Sequence, residues 1–313
     1  MIAGCCQQCP KMREFKNKVL GLVFIIFTLT GQAQSIKTVK DSLTNKPVPY
    51  VNIWVENEMI GTTSGENGEF HFSKSPSDKI IILSSIGYKT KKVQYKDNLT
   101  TIYLTPDVIQ LKEIVITGDR KSSTTIIGDF KKSIVRHYFA CSGYPYMTGK
   151  YFPYSESYAK TPYLGKIEVL TASDIKDAKF NIRLYTMNES GVPDILIFNE
   201  NILCTAKKGT NLTAVDISDK LIEIPRTGVL VAIEFLIIES NRHLYEYTMV
   251  NQKEKLEGIR YEPKIGTIPA ESGENSWQYN KGKWDRTTRA TYSKLPEYRD
   301  KFTETSVKLT LTN

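Results

Sequence analysis

A histidine and a glutamate three residues apart, His243 and Glu246, have the spacing of a zinc-binding pair in a metal-dependent hydrolase. Catalytic zinc needs three protein ligands and one open position. The other two histidines, His71 and His137, both precede this pair, so no later histidine completes the site. The segment also reads as a strand, in which positions i and i+3 point to opposite faces. The sequence therefore predicts no metal site and no cofactor.

Nucleophile and nucleotide-binding motifs give no better support for catalysis. Gly61 and Gly65 flank Ser64, but the spacing differs from the Gly-x-Ser-x-Gly turn of serine hydrolases. Cys141 and His137 would share one face of a helix, yet no third group is evident that would orient the histidine. No Walker or dinucleotide-binding glycine pattern occurs. We therefore assign no catalytic residue.

One carboxylate, Glu234, lies inside the apolar run Ile233-Glu234-Phe235. A carboxyl group in such surroundings can become a tuned acid. It can equally lie at the rim of the fold or be paired with a buried arginine, and we favour these structural interpretations. In a chain with 34 acidic residues, some pair of carboxylates is bound to lie close enough for glycoside hydrolysis. A polysaccharide-acting hydrolase therefore stays an alternative to a non-enzymatic protein.

Three aromatic residues form the best candidate ligand surface: Trp277, Tyr279 and Trp284. They lie in a polar, glycine-containing stretch, with Asp285 and Arg286 beside them. Exposed aromatic faces next to polar groups can hold sugar rings, so these residues suggest carbohydrate binding. The other interpretation, which we favour, is that the three rings close the end of a hydrophobic core.

The N-terminal residues have the layout of a secretory signal peptide. Basic residues, among them Arg13 and Lys18, precede the apolar run 19–27, and small residues then lead to Ala33. This order predicts export and cleavage after Ala33. The apolar run is short for a membrane anchor, which is the alternative, and no cysteine follows it to carry a lipid. We expect the protein in the periplasm or at the outer-membrane surface of a Gram-negative bacterium.

The cysteines divide between this leader and the rest of the chain. Cys5, Cys6 and Cys9 precede the apolar run, so cleavage would remove them. Cys141 and Cys204 remain, and export permits a disulfide between them. Two cysteines do not make a disulfide framework. We favour two buried thiols that act as small hydrophobic side chains.

Composition excludes several classes of protein. The 313 residues are 40% hydrophobic and 24% charged, which is too apolar for a disordered chain and leaves room for two modest domains. The net charge of +8 comes partly from the leader, and the remaining lysines are scattered. Scattered charge is typical of a solvated face. The sequence therefore does not predict nucleic-acid binding.

Residues 34–105 predict a small antiparallel sandwich of about seven strands. Residues 50–55 are rich in β-branched and aromatic side chains, and Asn67-Gly68 stands before another alternating run. An Asn-Gly pair in this position is typical of a type I′ hairpin turn. Residues 79–83 form a continuous apolar run, which indicates a strand buried on both faces.

Four segments of this region occur in a recognisable order: 40–53, 61–63, 67–70 and 86–89. Together they resemble the carboxypeptidase regulatory-like domain, a transthyretin-like sandwich common in exported proteins of Bacteroidota. The resemblance implies a structural or interaction module and not a catalytic one. The module accompanies many different proteins, so the resemblance implies no particular ligand.

The segment that follows resembles the TonB box of starch-utilisation-type TonB-dependent receptors. An extended peptide of this kind can add a strand to a sheet edge of a partner. The candidate partner-binding residues are Glu113, Ile114, Val115, Ile116 and Thr117. The chain beyond them is too short for the membrane domain of such a receptor, so we favour a last strand of the sandwich or a lead-in to the next domain. Residues 106–142 are expected to form a linker, with one short helix over 129–140.

Strands dominate again over residues 143–313. Residues 180–185 and 212–217 alternate between apolar and polar side chains, as half-buried sheet positions do. Residues 221–224 are a further strand candidate. The region resembles a jelly-roll sandwich of exported Bacteroidota proteins, similar in outline to carbohydrate-binding modules. The expected fold class is all-β, with an N-terminal transthyretin/Ig-like sandwich followed by a second, larger jelly-roll-like β-sandwich.

The sequence as a whole favours an exported, non-enzymatic protein of the cell envelope that serves as a structural, interaction or ligand-binding module. The expected partners are an envelope protein or a glycan, with no nucleic acid and no transmembrane span in the mature chain. The alternatives are a carbohydrate-binding accessory, a polysaccharide-acting hydrolase, or an accessory of a TonB-dependent uptake system.

Overall fold

The computed structural model describes residues 36–107, 123–249 and 254–313. Regular structure in these ranges is almost entirely strand, arranged in two sandwiches that succeed one another along the chain. The predicted all-β fold class, with a larger second domain, is therefore confirmed. The expected leader, 1–33, and the candidate partner-binding residues, 113–117, lie outside the described residues.

The first sandwich contains seven strands: β1 (Lys37–Asp41), β2 (Asn52–Val55), β3 (Gly61–Thr63), β4 (Glu69–Phe70), β5 (Ile80–Ser84), β6 (Lys91–Gln94) and β7 (Thr101–Leu104). They form a three-stranded sheet in the order β4-β1-β7 and a four-stranded sheet in the order β3-β2-β5-β6. All pairings are antiparallel except that of β1 with β7, which is parallel. Val39, Ile53 and Leu83 are buried in the core that the two sheets share.

Two local predictions for this sandwich were wrong. Asn67-Gly68 does not join a hairpin, because β3 pairs with β2 while β4 pairs with β1. Gly68 has a positive φ of 75° but Asn67 does not, so the turn crosses between the sheets and is not type I′. The apolar run 79–83 is buried on one face only, since Ile81 is fully buried and Ile80 is 43% exposed. Only one side of its sheet faces the core.

The second sandwich contains fifteen strands within the described residues. They are β8 (Thr124–Ile127), β9 (His137–Cys141), β10 (Tyr146–Phe152), β11 (Tyr163–Ser173), β12 (Ala178–Met187), β13 (Pro193–Leu196), β14 (Ile202–Ala206), β15 (Gly209–Asp216), β16 (Val229–Phe235), β17 (Arg242–Thr248), β18 (Lys255–Ala270), β19 (Ser276–Asn280), β20 (Lys283–Arg286), β21 (Phe302–Thr305) and β22 (Val307–Thr312).

These strands form two antiparallel sheets that face each other. One sheet has the order β13-β12-β16-β10-β19-β20, with β14 also paired to β12. The other has the order β17-β18-β11-β22-β8, with β15 on β11 and both β9 and β21 on β18. Phe180 and Ile233 of the first sheet and Ile167 and Leu309 of the second belong to one buried core. Burial of this alternating apolar set is the main force that holds the sheets together.

Helical structure in the described residues is confined to five 3-10 turns: Lys132–Ile134, Glu156–Lys160, Ser218–Lys220, Glu239–Asn241 and Pro296–Tyr298. The helix expected over 129–140 is therefore wrong, because His137–Cys141 pairs as β9 with β18. None of the helices that the structure describes has the length and apolar character needed to cross a membrane.

The second sandwich begins earlier than the expected boundary at residue 143. Strand β8 pairs with β22, the last strand of the chain, and β9 pairs with β18. Part of the expected linker, 106–142, thus belongs to the sheet. Residues 221–224 make a single bridge, between Glu223 and Tyr163, and not the strand we expected. Pro225 follows directly and removes a backbone donor that a strand would use.

The two sandwiches contact each other within one compact unit, Ile36–Asn313. Thr63 donates its backbone N–H to the Ile237 carbonyl at 3.1 Å, and its hydroxyl accepts from the Ile237 N–H at 3.0 Å. Tyr50 of the first sandwich packs with Leu236 and Ile238 in a small buried apolar cluster. Paired backbone groups and buried apolar surface therefore fix the position of one sandwich on the other.

Cys141 and Cys204 are both buried and both free thiols. They belong to the core of the second sandwich, 2% and 5% exposed. Burial raises the pKa of the Cys141 thiol to about 11 and that of Cys204 to about 12. The interpretation of these cysteines as small hydrophobic side chains thus agrees with the structure.

We expect neither thiol to react with a water-soluble alkylating agent at pH 8 in the native protein. The thiolate is the reactive form, and burial both disfavours it and excludes the reagent. The measurement is mass spectrometry after iodoacetamide treatment, with the same protein in 6 M guanidinium as the control, where both thiols should be labelled. Rapid labelling of the native protein, or a missing label on the unfolded one, would contradict the buried free thiols.

Candidate ligand-binding pocket

A pocket of about 260 Å³ lies where the two sandwiches meet. The first sandwich contributes Asn52 and Trp54 of β2, and the second contributes residues of β12, β19 and β20. Six aromatic side chains line the pocket: Trp54, Tyr144, Tyr146, Tyr185, Tyr279 and Trp284. A concave site with aromatic walls and a few polar groups is the usual form of a small-molecule site.

Trp284 is the centre of the aromatic wall. Its ring lies 5.3 Å from that of Tyr185, edge to face, and 5.2 Å from that of Tyr279. The hairpin of β19 and β20 places Trp284 directly opposite Tyr279. Lys281 and Gly282 form its two-residue turn with φ of 50° and 83°. Two positive φ values match the twist of a tight hairpin, so this short turn holds both rings on one face.

A buried carboxylate, Glu234, contacts two residues that line the pocket, Arg183 and Asn52. Glu234 of β16 has no solvent exposure, and its Oε1 lies 2.5 Å from Nη2 of Arg183 on β12. Asn181 donates its Nδ2 to Oε2 at 2.8 Å. Asn52 of the first sandwich donates its Nδ2 to Oε1. Both carboxylate oxygens are therefore occupied, and the hydrogen bond from Asn52 crosses between the sandwiches.

The ionisation of these groups follows from their burial. Burial disfavours the charged form of Arg183, but the adjacent Glu234 carboxylate holds the pKa of the guanidinium above its ordinary value. Burial raises the pKa of Tyr185 to about 12 and also raises the pKa of Tyr279. Both phenols stay protonated at neutral pH and can donate hydrogen bonds. The buried Nε of Arg183 has no acceptor among the described residues.

The three aromatic residues named as candidates from the sequence pack in one apolar cluster but differ in exposure. Tyr279 and Trp284 line the pocket, each partly exposed. Trp277 is only 3% exposed and does not line it. Its ring lies 4.4 Å below the Arg286 guanidinium. Two of the three residues thus line the pocket, while Trp277 is buried in a small apolar cluster against which those two rings pack.

The sequence did not predict the other residues that line the aromatic pocket. Trp54 and Asn52 come from the other sandwich, and no pattern along the chain connects them with Trp284. Arg183 and Tyr185 had a usable signal, because they alternate on β12 with Asn181 and so share one face of the sheet. Three polar or aromatic side chains on one face of an otherwise apolar strand indicate a site.

The residues considered from the sequence for zinc binding and for a cysteine nucleophile do not form such sites. His243 and Glu246 lie on β17, opposite Arg260 and Glu257 of β18. Because they are three residues apart on a strand, their side chains point to opposite faces of the sheet. Cys141 is buried and its Sγ contacts the Tyr144 carbonyl at 3.4 Å.

One set of side chains in the described residues has the spacing of metal ligands: Asp174, His243 and Glu262. Arg260 already bridges the two carboxylates, with Nη2 2.5 Å from Asp174 and Nε 2.8 Å from Glu262. Lys264 contacts Asp174 at 3.0 Å. Two cations thus pair with these carboxylates in an ion-pair network, while the buried Oε2 of Glu262 has no partner among the described residues.

Comparison with known proteins agrees with this organisation. The family model of the CarboxypepD_reg-like domain matches residues 38–116, a little beyond the 34–105 expected from the motifs. No curated protein sequence gives a significant match.

Among solved structures, the chain is similar to the clostridial cysteine protease Cwp84 after propeptide cleavage, with 11% identity and a TM-score of 0.35 over 90% of this chain and 70% of that one. It is also similar to the cysteine protease and lectin-like domains of Cwp84, a surface layer associated protein of Clostridium difficile, with 10% identity, a TM-score of 0.34 and coverage of 85% and 58%. A third similarity, to infectious bursal disease virus, has 10% identity, a TM-score of 0.24 and coverage of 88% and 58%. The family match is the specific one: residues 38–116 carry a CarboxypepD_reg-like domain, and a larger β domain follows it.

Proposed function

We propose that this protein is an exported, non-catalytic carbohydrate-binding protein of the cell envelope, and that the pocket between its sandwiches holds a sugar. One observation carries the proposal: Trp284, Tyr185 and Tyr279 form a continuous aromatic wall inside a pocket that also contains hydrogen-bonding groups. A sugar ring has apolar C–H faces and a polar rim of hydroxyls. An aromatic wall with polar neighbours matches both.

The size and polarity of the pocket indicate which part of a glycan it would hold. Ligand pockets commonly measure about 300–1,000 Å³, and this one, at about 260 Å³, is smaller. We therefore expect one sugar ring in contact with the aromatic wall and not a long buried chain. Asn280, Lys281 and Asp194 line the pocket with polar groups that can bond ring hydroxyls.

The carboxylates of the site support a binding role over hydrolysis. Glycoside hydrolysis needs two carboxyl groups that are free to exchange a proton or attack the sugar. Both oxygens of Glu234 are held by Arg183, Asn52 and Asn181. Of the two carboxylates that line the pocket, Glu58 is paired with Lys79 at 2.8 Å, and Asp194 has no ion-pair partner among the described residues. The pocket therefore offers one unpaired carboxylate where hydrolysis needs two. We therefore place the protein among binding modules and not among polysaccharide hydrolases.

Location in the envelope rests on the sequence. The leader pattern of residues 1–33 predicts export, and the CarboxypepD_reg-like domain at residues 38–116 is consistent with an extracellular or envelope protein. We propose the periplasm or outer-membrane surface of a member of the Bacteroidota, with a glycan or another envelope protein as the partner. A role as an accessory in TonB-dependent uptake would depend on residues 113–117, outside the described residues.

Substitution of Trp284 with alanine tests the sugar site. We expect a glycan array to identify ligands, and Trp284→Ala to weaken binding of the best one about 30-fold or more in calorimetry, as for a central aromatic contact worth about 2 kcal/mol. Trp284→Phe should retain part of the affinity, because an aromatic face remains.

The matched control is Tyr292→Ala, which removes an aromatic side chain that is 96% exposed and does not line the pocket. This variant should bind as the parent does. Circular dichroism should show that Trp284→Ala keeps its strand content. Equal binding by Trp284→Ala and the parent, or an array without any bound glycan, would refute the proposal.

A further inference from the structure

A second pocket, of about 480 Å³, lies on the opposite side of β19 from the aromatic pocket. Gln278 lines this second pocket while its neighbour Tyr279 lines the first. Successive side chains of a strand point to opposite faces, so one strand separates the two sites. Strands β9 and β21 and the segment 287–295 form the other walls of what we call the basic pocket.

The basic pocket has a charge of one sign. Arg289 and Lys294 both line it, and none of the described carboxylates does. Within the part of the chain that the structure describes, no carboxylate lies within ion-pair distance of either cation. Arg289 is positioned by a hydrogen bond from Nη1 to the Asp300 carbonyl at 2.6 Å, and its guanidinium lies 4.7 Å from the Phe302 ring. An arginine held in place and a lysine in the same pocket, both without a counter-charge, form an anion-binding surface.

A buried hydroxyl group adds a polar atom without a partner. Thr287 is 6% exposed, and its Oγ1 has no hydrogen-bond partner among the described residues. Leaving a buried hydroxyl unpaired costs about 1–3 kcal/mol, so native proteins seldom keep one without a reason. Thr287 lines the basic pocket together with Thr303. A ligand oxygen would satisfy this donor.

We propose that the basic pocket binds a tetrahedral oxyanion, a sulfate or phosphate group. Arg289 and Lys294 supply the positive charge, and neutral donors come from Gln278 of β19 and from Thr287, the residue after β20. Arginine in particular matches oxyanions, because its planar fork donates two hydrogen bonds side by side. The pocket is larger than one inorganic ion, so an ester of the anion on a sugar fits as well as the free ion.

The test measures binding of four probes to the full protein by calorimetry: inorganic sulfate, inorganic phosphate, galactose 6-sulfate and neutral galactose. We expect the anionic probes to bind, with an affinity that falls as salt increases. Tighter binding of galactose 6-sulfate than of inorganic sulfate identifies an ester as the natural source, and equal binding identifies the free anion. Trp284→Ala should leave binding of inorganic sulfate and phosphate unchanged, which separates the anion site from the sugar site.

Variants of the basic pocket decide whether the anion is bound there. Lys294→Ala and Arg289→Gln should each weaken binding of the anionic probes about ten-fold or more. Thr287→Val should weaken it several-fold without lowering the melting temperature, since it removes an unpaired hydroxyl and keeps the shape. Lys46→Gln removes one exposed charge in the other sandwich and should change nothing. Failure of every anion to bind below about 10 mM, or equal losses in Lys294→Ala and Lys46→Gln, would overturn the proposal.

Discussion

Replacement of Glu234 with alanine is expected to lower the free energy of unfolding by about 3–5 kcal/mol, which is the usual cost of leaving one member of a buried ion pair alone. Arg183 would keep its charge in the core, 5% exposed, with no carboxylate beside it. Asn52 and Asn181 would each lose a hydrogen-bond acceptor. Urea denaturation followed by tryptophan fluorescence measures the change.

Two further variants separate the lost charge from lost packing. Glu234→Gln keeps the shape but not the charge, and should be destabilised nearly as much. The double variant Arg183→Met/Glu234→Leu removes both charges and should recover much of the stability, because a buried ion pair contributes little beyond an apolar pair of similar size. If Glu234→Ala unfolds at the same urea concentration as the parent, the buried pair does not hold the structure as described.

Local sequence patterns predicted the position of a strand where the alternation within that segment was sufficient to recognise it. The strand predicted over 180–185 is part of β12, and Phe180 and Ile182 are buried in the core. Its expected half-burial was wrong, because Asn181 and Arg183 on the other face are only 0% and 5% exposed. The helix expected over 129–140 failed because pairing with β18, more than 100 residues later, outweighs local preference. The prediction that residues 79–83 are buried on both faces was wrong for a similar reason, because an apolar run does not reveal whether the second face of its sheet is covered.

The residues of the candidate site were harder to predict from the sequence than the strands. Tyr279 and Trp284 could be named together as candidates because they lie five residues apart and the hairpin turn between them is local. Trp54 stands 230 positions before Trp284, and the two share a pocket only because one sandwich rests on the other. For Glu234 the sequence left open a tuned acid, a rim position and pairing with a buried arginine, and the structure shows the pairing with Arg183. Its bond to Asn52 could not be predicted, since it depends on how the sandwiches meet.

This contact between the sandwiches makes the pocket a joint property of both. Asn52 approaches Glu234, and Gly61 donates its N–H to the Gly143 carbonyl at 3.2 Å. Pro145, two residues further along, lines the pocket. Displacement of the first sandwich would move Trp54 away from Trp284 and remove one wall. The CarboxypepD_reg-like domain therefore contributes part of the wall of the aromatic pocket.

Gly61→Val is expected to separate the two sandwiches at this contact and to destabilise the protein by up to about 3 kcal/mol, as overpacking does. A Cβ at Gly61 would overlap the Pro145 ring and lie 2.9 Å from the Ile53 carbonyl oxygen. Because Pro145 lines the pocket, we expect the variant to lose affinity for the glycan together with stability. Calorimetric unfolding and glycan titration measure the two effects.

Gly65→Val is the matched control for this effect. A Cβ at Gly65 would meet the Asn67 side chain at 3.3 Å, and that side chain is exposed and can move aside. Gly65 lies in the same sandwich but does not line the aromatic pocket, so its variant should keep glycan affinity even if its stability changes slightly. If Gly61→Val binds the glycan as tightly as Gly65→Val does, the first sandwich is not a wall of the site. A selective loss in Gly61→Val would instead mean that the bound sugar depends on both domains at once.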